Sequence, residues 1–498
     1  MTRVAAIDLG SESGRVTSVD FDGERVDLKV SHRFATLTTT EAGLRWDLTA
    51  LTNEVFVGMG KLGVNSVPIA SVGVDSWGVD YVLLDSTGHL VDDPFSYRDP
   101  RNSDSFESAI ARFGPDLLYS SSGSQLIAIN SVFGLLSDAA NNPQRLTDSA
   151  QLLMIADYVH HILSGSLVSE RTLASTTGLY DPQRGTWSET LISALQLPGQ
   201  LFPQLVDPGT RLGPLLDFDL PGWANTEVIT PGSHDTASAV LATPFNGSRS
   251  RTSAFISSGS WSLIGREQAD PVVSPAARLA DLTNEVGFGS RTLILRNVSG
   301  LWLLQACRRQ WESEGVRIDY ADIAALAEAE QPLTSIIDPD SSEFLGTGDM
   351  PARIRRFCER SGQPIPDSIG KIARTIVDSL ALRYRSTVDA IVEVTGTPID
   401  TIHVVGGGAQ HTSLARATAD ATRLPIHRGP VEATALGNAG AQLIALGELS
   451  GMSDLRSVIA ASSAIVTTEP GPVDLWNRAG DRFLDIVTHH SQKVGTHQ

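Results

Sequence analysis

Two short Ser/Gly runs, each set between apolar β-prone segments, constrain this chain more than any other feature. The first lies at Gly10–Gly14, between Val4–Leu9 and the alternating stretch Val16–Phe21. The second is Ser257-Ser258-Gly259-Ser260, between Ser253–Ile256 and Trp261–Ile264. Each reads as a β-hairpin with a tip of small residues. One such hairpin opens each half, which points to an internal duplication and two domains. Strand and helix patterns alternate in both halves, so the class is α/β. Leu48–Val64 reads as a helix, Ile69–Val74 and Val79–Leu84 as strands, and Glu227–Thr230 as a strand before a helix from Ala237 to Leu241. The second half adds a long amphipathic helix at Ile369–Glu393, a strand at Thr401–Val405 and helices at 412–422 and Val431–Ala445. The expected domains are 1–244 and 245–498, joined near 244–251. The first carries a mostly helical insertion at about 100–197. A chain of 498 residues has room for this.

Composition narrows the function classes. A formal net charge of -19 repels nucleic acid and anionic membranes. Two cysteines, Cys307 and Cys358, and no apolar leader are read as a reduced, cytoplasmic protein without a structural disulfide. No apolar run is long enough to suggest a membrane span.

Several segments could carry chemistry, and each alone also reads as an ordinary turn or cap. In Asp8-Leu9-Gly10-Ser11-Glu12-Ser13-Gly14-Arg15, small residues let backbone N–H groups approach a polyphosphate. Asp8 could hold Mg2+ and Arg15 could neutralise developing charge. Gly406-Gly407-Gly408, between a strand and a helix, frees the backbone to meet adenosine or phosphate. In Gly232-Ser233-His234-Asp235-Thr236 a carboxylate ahead of a helix could act as base toward a hydroxyl. Val74-Asp75-Ser76-Trp77-Gly78-Val79-Asp80 suits a sugar, with a ring to stack on and carboxylates to accept hydroxyls. Asn297 reads as the start of an apolar helix. The sequence has no P-loop, no zinc-ligand spacing and no convincing nucleophile elbow with a triad.

Taken in order, these segments resemble the FGGY carbohydrate kinases, and within them those that act on L-rhamnulose. The resemblance runs from about Val4 to Gly447. It rests on Asp8–Arg15, Arg45-Trp46-Asp47, Asp75-Ser76-Trp77-Gly78-Val79-Asp80 and Tyr97-Arg98-Asp99. It continues through Ser233-His234-Asp235-Thr236-Ala237-Ser238-Ala239-Val240, Ser257–Leu263, Gly300–Gln305, Val405–Gly408 and Gly429–Thr434. It implies two ribonuclease-H-like (actin-like ATPase) domains flanking a catalytic cleft, and phosphorylation of the sugar C1 hydroxyl with ATP and Mg2+. On the family pattern Asp235 is the proton acceptor and Asp8 the metal-associated aspartate. Ser11, Glu12, Ser13, Gly14, Arg15, Ser260, Gln305, Gly407 and Gly408 match nucleotide-contacting positions. Gly78, His234, Asp235, Thr236 and Asn297 match sugar-contacting ones. Ser260 stands where the family usually has Thr, and Ser11-Glu12 replaces a less charged pair. A kinase for L-fuculose, L-ribulose or D-xylulose shares nearly all these residues. A non-catalytic sugar-binding regulator and a sugar-independent ATPase are the readings from other classes.

Overall fold

The computed structural model describes residues 1–40, 43–63, 67–245, 251–344, 346, 348–471 and 474–494. The expected junction at 244–251 falls largely outside them. The chain divides into two compact units. The first is Met1–Gly247 with Glu267–Ile294 and Glu432–Ser463; the second is Ser248–Arg266, Leu295–Val431 and Ala464–Gln498.

The first unit is built on a six-stranded sheet. Its order is Arg211–Pro214, Glu227–Ile229, Ser71–Ser76, Thr2–Leu9, Ser13–Phe21, Val26–Ala35. Thr2–Leu9 and Glu227–Ile229 each run parallel to Ser71–Ser76, and the other pairs are antiparallel. Central position explains the apolar composition of the first strand: Val4 to Leu9 are all buried, as a strand covered on both faces requires. Val26–Ala35, at the sheet edge, is mostly half-buried or exposed.

The helix Ala433–Leu446 belongs to this unit although it lies late in the sequence. It packs against the helix Asp235–Leu241 so closely that a Cβ on Gly437 would sit 1.8 Å from the Ser238 carbonyl oxygen. Only glycine permits that approach. From the same helix, Gln442 Nε2 donates to the Ala5 carbonyl at 2.9 Å and to Asn438 Oδ1 at 2.7 Å. Gln442 Oε1 accepts from Ser71 Oγ at 2.7 Å. These buried amides are thereby satisfied.

In the second unit the strand order is Thr292–Ser299, Trp261–Gln268, Ser253–Ser258, Thr401–Val405, Ile426–Arg428, Val466–Thr468. Ser253–Ser258, Thr401–Val405 and Ile426–Arg428 are parallel neighbours. The long helix spans Ile369–Thr395. Ser368 caps its start, and Gly396, in the left-handed region at φ 65°, ends it. The helix Thr412–Thr422 follows the glycine run. Both units therefore repeat one theme: a Ser/Gly-tipped hairpin whose first strand has a parallel neighbour.

Two readings change. Asn297 lies inside the strand Thr292–Ser299, and the apolar helix begins only at Trp302. The paired strand after Asp75 starts at Tyr81 rather than Val79, because Val79 has φ 68°, a value no strand residue takes.

Candidate active site

Parallel strands deliver their last residues to one edge of the sheet, where open α/β sheets bind ligands. In the first unit that edge carries Asp8 and Asp75, paired in register on neighbouring strands. Ser76 N donates to the Ser233 carbonyl at 2.8 Å, and Ser76 bridges to His234. This brings the start of the helix Asp235–Leu241 to the same edge. Asp235 is the first residue of that helix, where an acidic group is favoured.

Burial works against charge on the Asp75 carboxyl, and Asp8 works against it further, so its pKa is pushed well up. Asn438 Nδ2 donates to Asp75 Oδ2 at 2.5 Å, while Oδ1 is buried without a partner. The Asp235 side chain keeps 33 % of its surface, so it lies in a recess rather than a sealed core. Its pKa is also raised, first by burial and then by Asp8; His234 and Thr236 oppose this. Asp235 Oδ1 accepts from Thr236 Oγ1 at 3.2 Å and lies 3.4 Å from His234 Nε2.

His234 is held from two further directions. Its backbone N–H donates to Thr172 Oγ1 at 2.9 Å. Its Nδ1 lies 3.1 Å from Glu285 Oε2, an ion-pair distance, although the ring is not aligned for a linear hydrogen bond. Burial disfavours the imidazolium, but Glu285 and Asp235 outweigh it and the pKa is raised. Behind the loop, Glu170 accepts from Ser233 N at 3.0 Å and from Thr172 N at 2.9 Å. Burial lifts the Glu170 carboxyl to about 7.

At the first hairpin tip, Gly10 N donates to the Ser13 carbonyl at 3.1 Å; a Cβ on Gly10 would stand 2.8 Å from that oxygen. Thr36 braces the turn: its N–H donates to the Glu12 carbonyl and its Oγ1 to the Gly10 carbonyl. Ser11 and Glu12 are half-buried there, Ser13 is exposed, and Gly14 packs on the Phe34 ring. Arg15 reaches across the tip. Its Nε donates to Asp8 Oδ2 at 2.8 Å, and its Nη1 lies 2.7 Å from Glu432 Oε2. Burial disfavours this guanidinium, but the two carboxylates raise its pKa overall.

The Trp77 indole is not an open stacking platform. It is buried and donates to Asp80 Oδ2 at 2.8 Å, as Trp46 Nε1 does at 2.5 Å. Burial pushes Asp80 to about 7 against those two hydrogen bonds. Gly78 lies between them, with Thr176 so near that a Cβ would meet it at 2.9 Å.

The second unit gathers its predicted residues around the other tip. Ser260 Oγ donates to Gln305 Oε1 at 3.1 Å, from the helix Trp302–Ser313. Gly300 seats against the tip, where a Cβ would be 2.6 Å from the Trp261 backbone. A Cβ on Gly408 would fall 2.0 Å from Ser258 Oγ, so this glycine is required by packing. Gly407 differs: the residue is exposed, and nothing lies within 4 Å of the corresponding position. Asn297 is half-buried on its strand.

Glu170, Thr172, Glu285, Glu432 and Asn438 escaped the sequence reading as site residues. Glu432 belongs to the segment Gly429–Thr434, where nothing local marks it as a partner for Arg15. Thr283-Asn284-Glu285 carries no local signal, since an acid in a short strand is usually solvated.

Comparison with known proteins bears on the family and the fold. The N-terminal domain of the FGGY family of carbohydrate kinases matches residues 4–242, and the C-terminal domain matches residues 254–446. A rhamnulokinase of Pectobacterium carotovorum is 39 % identical over 92 % of this chain and 90 % of its own. One from Enterococcus faecalis is 37 % identical over 94 % of each. A xylulose kinase structure from Lactobacillus acidophilus superposes with TM-score 0.81 at 14 % identity, covering 100 % of both chains. An ADP-bound glycerol kinase from Plasmodium falciparum gives 0.75 at 15 %, covering 99 % of this chain and 98 % of that one. At such identities the structural likeness concerns the fold alone.

Proposed function

The chain belongs to the FGGY family of carbohydrate kinases, and on that premise we propose that it transfers the γ-phosphoryl group of ATP to the C1 hydroxyl of L-rhamnulose. The product is L-rhamnulose 1-phosphate, a step in L-rhamnose breakdown. The observation that carries the reading is Asp235: a recessed carboxylate at the carboxyl edge of the sheet, with one oxygen engaged by His234 and Thr236. Phosphoryl transfer asks a protein mainly for a positioned base and charge stabilisation. Asp235 takes the proton of the sugar hydroxyl as its oxygen bonds to the γ-phosphorus; the bond to the bridging oxygen breaks, and ADP leaves. A raised pKa suits this role, because a stronger base still ionised near neutral pH accepts the proton more readily.

The sugar is assigned to Gly78, His234, Asp235, Thr236 and Asn297. The nucleotide is assigned to Ser11–Arg15, Ser260, Gln305, Gly407 and Gly408. The exposed, uncrowded position of Gly407 supports this, as does the hydroxyl of Ser260 in place of the usual Thr.

The family implies Mg2+. Among the described residues no group of three or more His, Cys, Asp or Glu could hold a metal. The site fits the ion nonetheless, since Mg2+ in phosphoryl transfer commonly takes one or two carboxylates and completes its shell with water and phosphate. Asp8 would hold it, and the unpartnered buried Asp75 Oδ1 beside it is an electron-rich atom suited to such a neighbour. Bound there, Mg2+ would neutralise charge on the phosphates.

The protein is assigned to the cytoplasm. Both cysteines are free and buried, and no described helix is long and apolar enough to cross a membrane. ADP release with Mg-ATP and a panel of ketoses and polyols tests the whole reading. L-Rhamnulose should give by far the largest kcat/KM; preference for another ketose would overturn the substrate, and no stimulation by any sugar would overturn the activity.

A further inference from the structure

Glu285 comes from a part of the sequence remote from every motif above. It lies on the strand Thr283–Val286, after the second hairpin, yet this segment belongs to the first unit. The segment is fastened there on both sides of Glu285. Asn284 N and Nδ2 both donate to the Gly123 carbonyl, at 2.9 and 3.0 Å. Val286 N donates to Ser175 Oγ at 3.0 Å. Gly123 is closely fitted to Asn284, whose Nδ2 would lie 3.1 Å from a Cβ at that position. The Glu285 side chain keeps only 4 % of its surface, and its Oε2 is 3.1 Å from His234 Nδ1. A buried carboxylate is expensive unless it is paired, and the imidazole is the partner provided.

We propose that Glu285 is a positioning residue for the phosphoryl transfer: by pinning His234 through Nδ1 it turns Nε2 toward Asp235 Oδ1 and leaves the second carboxylate oxygen for the sugar hydroxyl. This rests on the assignment of Asp235 as base. The geometry forms a chain from Glu285 Oε2 through the imidazole to Asp235 Oδ1, with steps of 3.1 and 3.4 Å. Three carboxyl groups act electrostatically on His234: Glu285 from its strand, Asp235 from the helix and Glu170 from behind the loop. Glu285 is the largest favourable influence on the imidazolium, and the imidazolium is the main influence holding the Asp235 pKa down. Removing the Glu285 charge therefore lowers the His234 pKa, weakens that positive charge and raises the Asp235 pKa. The base is then protonated over more of the neutral range.

The test is Glu285→Gln, which keeps the shape and deletes the charge. Two readouts apply: steady-state kinetics with L-rhamnulose and Mg-ATP across pH, and the His234 titration midpoint by NMR of histidine-labelled, ligand-free protein. We expect kcat to fall about tenfold or more, less than the roughly 10²–10⁴ for loss of the base itself. The sugar KM should change less than kcat. The acid limb should move up, and the His234 midpoint down, each by about one unit. Glu285→Asp, which keeps the charge on a shorter arm, should restore the position of the acid limb; if the Gln variant does not fold, Glu285→Met, uncharged and of similar volume, carries both readouts with the same expected shifts. In the charge-deleting variant, an unmoved His234 midpoint together with a wild-type profile would overturn the proposal. The midpoint is read without substrate, so failure of wild-type protein to phosphorylate L-rhamnulose would count against the assigned function alone.

Discussion

The two hairpin tips share a backbone plan and differ in charge. At the first, Asp8, Glu12 and Arg15 surround the turn, and Arg15 is locked between Asp8 and Glu432. At the second, the neighbours are hydroxyls, an amide and glycines: Ser258, Ser260, Gln305, Gly300 and Gly408. Fixed charges beside a buried acid such as Asp75 set protonation states. A neutral tip with closely packed glycines instead sets the shape of a backbone surface. The same backbone plan thus serves ionic chemistry in the first unit and shape in the second.

The sharpest way to break that contrast is Asp235→Asn. We expect turnover to fall by roughly 10²–10⁴, with the thermal midpoint retained, because the side chain is recessed rather than packed in the core. A near-wild-type rate would remove the base from the charged half. In the wild type, the raised Asp235 pKa requires kcat/KM to fall as pH drops through a midpoint above the ordinary aspartate value of about 4.

Next in size is Arg15→Ala. It leaves Asp8 and Glu432 without their shared cation, and breaking a largely buried pair costs about 3–5 kcal/mol. Thermal unfolding reads the loss, which should sit near the lower end because Arg15 keeps 20 % of its side-chain surface. A neutral thermal effect would mean the clamp is ornamental.

On the neutral side, two adjacent glycines should separate. Gly408→Ala drives a methyl group into Ser258 Oγ and should destabilise by about 1–3 kcal/mol. Gly407→Ala meets nothing and should stay within about 0.5 kcal/mol. Its effect is expected in the ATP KM. Equal destabilisation by both would erase the distinction between a packing glycine and a ligand-facing one.

The smallest effect belongs to Ser260→Ala, which deletes one neutral hydrogen bond to Gln305. About 0.5–1.5 kcal/mol is at stake, read as a rise in ATP KM of a few-fold, whereas Ser260→Thr should be close to silent.

Much of this was legible beforehand because its causes are local. The hairpins follow from apolar alternation around Ser and Gly. The strand Thr401–Val405 and the helix Thr412–Thr422 have the bounds their pattern predicts. Asn297 was misread because an apolar run of this length suits a strand as well as a helix. Val79 was misread because nothing in its residue type announces a positive φ.

The sequence by itself determined the α/β class, the two Ser/Gly tips, the acid ahead of a helix at Asp235 and the family resemblance, since each depends on residues close together in the chain. Tertiary structure alone decided that Glu285, Glu432 and Asn438 join the first unit, that Trp77 is buried against Asp80, and that Gly407 is open where Gly408 is not. Those facts depend on which distant segments meet. Burial, ion pairing and shifted pKa values arise only at such meetings, so no reading of neighbours along the chain contains them.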